Sequence, residues 1–282
     1  MADLDSLPPL RDVADRHGLR ARRSLGQNFL FDENLLDRIV SFSGDLSNAH
    51  VIEIGPGPGG LTRAFLRAGA QQVTALEKDR RCVAALQELS EVSNGRLEII
   101  EADVLEADLP RLFTQPPVIA GNLPFNIATE VLMQLVESGM PIAHMLLMFQ
   151  KEVGHRIAAQ PGSKSYGRLS VLVQWLCAVE ACLDVPPEAF VPAPKVSASV
   201  LRITPRSCPL YPAQINHLRA VTKAAFGQRR KTLRNSLGTT FADPVSALEA
   251  AGIRPDLRAE KINIKGFCAL ARVHQDIVGT DI

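Results

Sequence analysis

Asn122-Leu123-Pro124-Phe125 follows directly on the short apolar run Val118-Ile119-Ala120-Gly121, which puts an amide, a proline turn and an aromatic ring at a strand's carboxyl end. The Asn122 side-chain oxygen and a nearby backbone carbonyl, most simply that of Leu123, can accept both hydrogens of an adenine's exocyclic amine. So held, the nitrogen favours a pyramidal form with its lone pair aimed at an electrophile, and positioning with fixed dipoles replaces a strong base. Pro124 stiffens the turn and removes a donor that would compete for the same acceptors. Phe125 offers a stacking face worth about 1–3 kcal/mol, comparable with the few kcal/mol that extracting a base costs. The same tetrapeptide also closes ordinary strands, so its meaning depends on what precedes it.

What precedes it is a glycine loop, Gly55-Pro56-Gly57-Pro58-Gly59-Gly60, between the apolar run Val51-Ile52-Glu53-Ile54 and a stretch of helical period over 61–68. Glycines there let backbone amides approach a ligand closely. Gly55-x-Gly57-x-x-Gly60 also satisfies the dinucleotide fingerprint, which keeps a nicotinamide-dependent oxidoreductase in view. Glu77, ending the next apolar run, would hold ribose hydroxyls in either case. Three features favour S-adenosylmethionine. Glu53 puts an acid where a dinucleotide strand is apolar, suited to the methionine end or to ordering the loop. Pro56 and Pro58 stiffen a turn that need not wrap a pyrophosphate. Asp103, after the third strand, can accept the cofactor's adenine amine, although a helix-capping role is its plain alternative, as a buried structural carboxylate is for Glu53. The sulfonium needs no metal.

These residues need elements that bring four strand ends together. Runs at 51–54, 73–77, 97–100, 118–121 and 145–149 alternate with helical stretches at 61–68, 81–89 and 128–136, which predicts a parallel sheet covered on both faces. Asp32-Glu33-Asn34 before Leu35-Leu36-Asp37-Arg38-Ile39-Val40 suits a helix amino terminus. Residues 170–185 and 196–204 read as two β-rich segments without an intervening helix, hence an antiparallel edge on the parallel sheet. Beyond Pro205, Pro209 and Pro212, stretches at 218–226, 228–237, 245–251 and 266–273 look helical. The expected organisation is therefore a loosely ordered segment over 1–19, an α/β sheet domain of Rossmann-like methyltransferase type over 20–205, and a small all-helical domain over 206–282.

A chain of 282 residues, 46% hydrophobic and 22% charged, can build one large core and a smaller second one. Its net charge of +1 hides polarity along the chain. Residues 189–242 contain no Asp or Glu but nine Lys and Arg, among them Arg229, Arg230, Lys231 and Arg234, and a second basic cluster contains Arg22 and Arg23. Such segments suit a polyanion, though charge runs are most often solvated faces. The five cysteines are scattered without metal-ligand spacing, the first ten residues hold two acids and no apolar run, and no stretch is continuous enough to span a membrane. A reduced cytoplasm without structural metal is the expectation.

The chain resembles the ribosomal RNA adenine dimethyltransferases, most closely the bacterial small-subunit branch. Ser24-Leu25-Gly26-Gln27-Asn28-Phe29-Leu30, the block from Glu53 to Thr62, Glu77, Asp103, Asn122-Leu123-Pro124-Phe125-Asn126, Gln150-Lys151-Glu152-Val153, Tyr166-Gly167-Arg168-Leu169-Ser170, Pro194-Lys195-Val196 and the block from Ala225 to Leu237 carry the likeness. The resemblance implies that Asn28 and Leu30 contact S-adenosylmethionine alongside Gly55, Glu77, Asp103 and Asn122. It implies dimethylation of two adjacent adenines in a hairpin near the 3′ end of 16S rRNA, on the assembling 30S subunit; a monomer is the separate expectation for the protein's oligomeric state. Arg230, Lys231 and Arg234 would then share one face of a helix and read phosphates. Phe125 stands where bacterial members most often carry Tyr, and Ser197 where an Asp is usual. A non-catalytic RNA-binding assembly factor and a large-subunit RNA methyltransferase are the alternatives.

Overall fold

The runs at 51–54, 73–77, 118–121 and 145–149 are buried on both faces, as the inner strands of a sheet sandwiched between helices must be, while the run at 97–100 is only partly buried. In the computed structural model, which describes Leu4 and residues 7–20 and 27–279, the chain divides into two units. One comprises residues up to Gly154 together with Glu180–Thr204, the other His155–Val179 together with the chain from Pro205 onward.

The first unit runs α1 (Leu10–Arg16), β1 (Phe29–Leu30), α2 (Glu33–Ser41), β2 (His50–Ile54), α3 (Gly60–Arg67), β3 (Gln72–Glu77), α4 (Arg80–Val92), β4 (Leu97–Glu101), β5 (Val118–Gly121), α5 (Ala128–Glu137) and β6 (His144–Gln150). After α6 (Lys151–Ile157) and α7 (Arg168–Leu176) come β7 (Cys177–Val185), β8 (Phe190–Val191) and β9 (Ala198–Pro205). Sheet order is β4-β3-β2-β5-β6-β9-β7. The first five strands pair in parallel and β9 runs antiparallel to β6. Strand order reverses between β2 and β5, so the crevice at their carboxyl ends is where such sheets bind ligands. Helices start as the sequence suggests: the Asp32 side chain accepts from the Leu35 N–H at α2 and that of Asp79 from the Arg81 N–H at α4.

Four expectations are corrected. Within 1–19, residues 10–16 form α1, burying Leu10, Val13 and Ala14 at helical spacing. Arg16 and His17 both reach Glu88, at 2.8 and 2.6 Å, and the Arg63 guanidinium donates to the Pro8 carbonyl, so this segment is fastened to the unit. Residues 170–176 are helical rather than β-rich: the Ser170 hydroxyl accepts from the Gly167 N–H and donates to the Arg156 carbonyl, starting α7 before the β-branched run can extend. Residues 155–179 join the helical unit, so its sequence is discontinuous. Finally, 228–237 is not one helix. Residues 228–232 form a turn and only α9 (Leu233–Ser236) is α-helical, because the Leu233 and Arg234 N–H groups donate to the carbonyls of Leu257 and Pro255.

The helical unit continues with α8 (Ile215–Gly227), α9, α10 (Pro244–Ala250) and α11 (Ile264–Val278). Leu218, Val221 and Ala225 of α8 and Phe267, Leu270 and Ala271 of α11 are buried, and the Phe226 ring lies 5.9 Å from that of Tyr166 and 5.3 Å from that of Phe267. Among the described residues no helix is long and apolar enough to cross a membrane.

Candidate active site

The carboxyl ends of β2, β3, β4 and β5 deliver the glycine loop, Glu77, Asp103 and Asn122 to one edge of the sheet. A cleft opens there, lined by every residue that the sequence marked for catalysis or cofactor contact: Asn28, Leu30, Glu53, Gly55, Gly57, Glu77, Asp103, Asn122, Leu123, Pro124 and Phe125.

Gly55, Gly57 and Gly59 adopt φ of +66°, +57° and +91°, in the left-handed region that side chains disfavour. At Gly57 a Cβ would also lie 2.9 Å from the Phe29 ring. The loop is held from beneath by Glu77, whose Oε2 accepts from the Gly57 N–H at 3.1 Å and whose Oε1 accepts from the Asp79 N–H at 2.8 Å. Burial raises the Glu77 pKa, opposed by those backbone donors. The remaining lone pairs of the carboxylate suit ribose hydroxyls.

Glu53, on β2, is 1% exposed and still lines the cleft. Its Oε2 accepts from the Thr62 hydroxyl at 2.6 Å. Burial pushes its pKa up to about 8, the Thr62 hydrogen bond pulling down and the Glu77 charge adding to the rise. Asp103 is different: its side chain is 30% exposed, Oδ1 accepts from the Leu105 N–H at 3.1 Å and Oδ2 pairs with Lys78 Nζ at 3.2 Å. The Leu105 donor, followed by Lys78, holds the Asp103 carboxyl below the usual range. The Leu105 bond is the local turn-capping role, and Oδ2 is held by the exposed Lys78 ammonium.

On the opposite wall, Asn122 Nδ2 donates to the Asn28 carbonyl at 3.0 Å. That carbonyl is fixed because the adjoining β1 pairs antiparallel with β8, Phe29 opposite Val191 and Leu30 opposite Phe190. With its donor end committed, the Asn122 amide has its oxygen left as an acceptor. Leu123 is buried and Phe125 packs partly against the core of the sheet unit, so one flank of the ring is supported and the rest faces the cleft it lines.

The groups in the cleft fit a cationic adenosine-bearing cofactor. Backbone amides, a loop that admits no Cβ at Gly57 and four carboxylates line it, and Lys78 is the lone basic residue among its described lining. Sequence reasoning missed Gln27, Phe29, Lys78 and Asp79 as parts of this wall. Lys78 and Asp79 follow Glu77 directly, so the end of β3 was the available signal. Gln27 and Phe29 act through tertiary contacts, the Gln27 amide donating to Asp79 at 3.2 Å, and their signal was their place in the block 24–30 that carries the family resemblance.

Of the basic residues, Arg22 and Arg23 lie outside the described residues. Arg229 is engaged within its own unit: Nη2 donates to the carbonyls of Lys164 and Tyr166 at 2.8 and 2.7 Å, and the guanidinium lies 5.9 Å from the Phe226 ring centre. Arg230 joins Lys164, Arg229, Arg258 and Lys261 around a hollow also lined by Gly162, Ser163 and Glu260. Lys231 and Arg234 are exposed and do not line it. Because 228–232 is a turn, Arg230, Lys231 and Arg234 share no helix face.

Residues 18–276 match the family model described as "Ribosomal RNA adenine dimethylase". The chain is 54% identical over 268 residues to the ribosomal RNA small subunit methyltransferase A of Rhodospirillum rubrum, covering 95% of this chain and 93% of that protein. It is 50% identical over 274 residues to the protein of the same name from Cereibacter sphaeroides, covering 96% and 99%. Among solved structures it resembles a dimethyladenosine transferase from Plasmodium falciparum, with a TM-score of 0.75 and 22% identity over 86% of this chain and 95% of that one. The 23S rRNA methyltransferase ErmE gives 0.68 and 24% over 88% and 100%. The two structures show the fold.

Proposed function

The chain belongs to the ribosomal RNA adenine dimethylase family, and from that premise we propose that it transfers methyl groups from S-adenosylmethionine to the N6 amines of two adjacent adenines near the 3′ end of 16S rRNA. The observation that carries this reading is the Asn122 amide, pinned by Nδ2 to the Asn28 carbonyl so that its oxygen is presented in the same cleft as the glycine loop. Small-subunit specificity is favoured over large-subunit by the relatives near 50% identity that carry a small-subunit name, against 24% to ErmE.

The bound cofactor supplies an electrophilic sulfonium methyl. Glu77 and Asp103 hold its ribose and adenine amine, and the glycine loop accommodates its methionine end. Asn122 and the Leu123 carbonyl accept the target amine's hydrogens, which raises lone-pair density on nitrogen, and Phe125 stacks against the base. Neither acceptor is basic enough to keep a proton. The amine therefore attacks as the neutral species and loses its proton to solvent after the new N–C bond forms. Repetition demands that the monomethylated nitrogen be re-presented with only one hydrogen to accept, a task for the positioning residues.

The basic hollow in the helical unit suits phosphates of the assembling 30S subunit. Arg230, Arg258, Lys164 and Lys261 converge there, and Arg229 ties its wall by two carbonyls. On this reading the protein works as a monomer in the cytoplasm. Methyl transfer from labelled S-adenosylmethionine into small-subunit particles from cells lacking the modification tests the proposal. Unlabelled particles, in the presence of a control dimethylase that does label them, would overturn it.

A further inference from the structure

Glu53 combines three properties that ordinarily exclude one another. It is buried to 1% exposure, it lines an open cleft, and no basic side chain pairs with it among the described residues. Its hydrogen-bond partner is a hydroxyl, Thr62, through Oε2. A carboxyl group so placed is costly as an anion unless a cation arrives to compensate it. Flanking strand positions offer none: Glu53 stands opposite Ala75 of β3 and Ala120 of β5. The charged group that bears on it is Glu77, of the same sign, while Arg63 on α3 is turned to the Pro8 carbonyl and Lys78 to Asp103.

We infer that Glu53 gives up its proton when the methyl donor binds and takes one back once the demethylated product is left in the cleft, so that proton exchange at this carboxyl distinguishes the two. The inference rests on the S-adenosylmethionine reading above and goes beyond it in assigning a charge switch to one side chain. S-adenosylmethionine is cationic by its sulfonium; its entry releases the Glu53 proton to solvent. Methyl transfer turns the sulfonium into a neutral thioether while the target amine sheds one proton to solvent. Glu53 then recovers a proton from solvent, and a full cycle yields one proton for each methyl moved. The carboxyl's raised pKa, about 8, fits a group that is neutral in the free protein at pH 7 and poised for this change. The consequence is functional: the cleft carries a counter-charge for the donor and becomes neutral for the product, which favours exchange of spent cofactor without any conformational change.

Calorimetric titration of the wild-type protein at pH 7.0, in two buffers of different ionisation enthalpy, counts protons released on binding. S-adenosylmethionine and S-adenosylhomocysteine share their amino and carboxyl groups, so their difference isolates the sulfonium. Close to one proton is expected for the donor and clearly fewer for the product. Donor affinity should rise with pH by nearly tenfold per unit between pH 6 and 7.5, and product affinity far less. E53Q should make both proton counts equal and flatten the donor's pH profile. Equal proton release for the two compounds in wild type, or a donor–product difference that persists in E53Q, overturns the inference. The wild-type comparison decides even where E53Q folds poorly. Binding of neither compound would remove the cofactor reading itself, whereas binding of both with equal counts removes the proton step alone.

Discussion

Replacing Asn122 by alanine separates two roles that meet in one side chain. The amide nitrogen's bond to the Asn28 carbonyl, 3.0 Å long and partly buried, is an ordinary neutral hydrogen bond, so its removal costs about 1 kcal/mol of stability, or roughly 2–4 °C in melting temperature for a chain of this size. The same bond lies beside the cofactor wall, so donor affinity should fall by no more than about fivefold, the equivalent of about 1 kcal/mol. On the proposed mechanism the amide oxygen, by contrast, is the acceptor that develops its full interaction as the amine becomes cationic in the transition state. Removing one such preorganised dipole costs about 10²–10³ in turnover, or about 2.7–4 kcal/mol. Single-turnover incorporation of labelled methyl into unmodified small-subunit particles, at saturating cofactor and below the melting range, measures the chemical step. Calorimetry and thermal melts measure the other two quantities. A methylation rate that drops by less than about tenfold, or in proportion to cofactor affinity, would refute the catalytic assignment. Either result would make Asn122 a pin for the segment before β1 and nothing more.

The folded pKa of Glu53 lies near 8 against an ordinary 4.5, so the unfolded chain sheds this proton first and wild-type stability falls as pH rises from about 4.5 to 8. Glu53→Gln keeps an acceptor for Thr62 without a charge to bury, so its stability advantage should be near zero at pH 4.5 and grow to at most about 4 kcal/mol at pH 8; chemical denaturation at several pH values would expose a flat difference. Gly57→Ala should cost about 1–2 kcal/mol through its positive φ. Its methyl group, 2.9 Å from the Phe29 ring, should also weaken cofactor binding at least tenfold by calorimetry, and unchanged affinity would detach the loop from the cofactor. Arg230→Ala with Arg258→Ala should shallow the salt dependence of RNA affinity by about 0.7–0.9 for each phosphate no longer paired, whereas an unchanged slope would make the hollow a solvated face.

The parallel strands and the cleft were legible because both depend on local patterns: apolar runs buried on both faces, glycines where the backbone turns left-handed, polar residues at strand ends. α1 carried a helical signal too, Leu10, Val13 and Ala14 on one face, but two prolines and several charges obscured it, and its anchor at Glu88 lies far along the chain. The turn at 228–232 was illegible for a physical reason. Its sequence has good helix formers, and what ends α8 there is tertiary: carbonyls at 255 and 257 take the N–H groups that start α9, and the carbonyls of Lys164 and Tyr166 take Arg229. Counting basic residues likewise overstated the segment, since a guanidinium spent on backbone carbonyls has fewer donors left for phosphate. Lys164, Arg258 and Lys261, remote in sequence from that segment, were brought beside Arg230 by the fold and could not be found by scanning for runs.

On the proposed mechanism, the distribution of charge within the cleft suits a step that uses no general base. Every ionisable lining residue described, Glu53, Glu77, Lys78, Asp79 and Asp103, belongs to β2, β3 or the segments just after β3 and β4, whereas the end of β5 contributes Asn122, Leu123, Pro124 and Phe125, all neutral. A carboxylate on the β5 side would attract the amine's hydrogens more strongly. It would also compete for the cationic cofactor and hold the product amine's proton, slowing the second methylation. Neutral acceptors avoid both effects: they orient the lone pair without trapping the charged product. Asn122→Asp should therefore bind S-adenosylmethionine at least as tightly as wild type above pH 6, yet methylate more slowly. Its carboxylate has no N–H for the Asn28 carbonyl and sets oxygen against oxygen where the wild type has a 3.0 Å hydrogen bond. Faster methylation by Asn122→Asp, measured at saturating cofactor, would show that basicity rather than orientation limits the step.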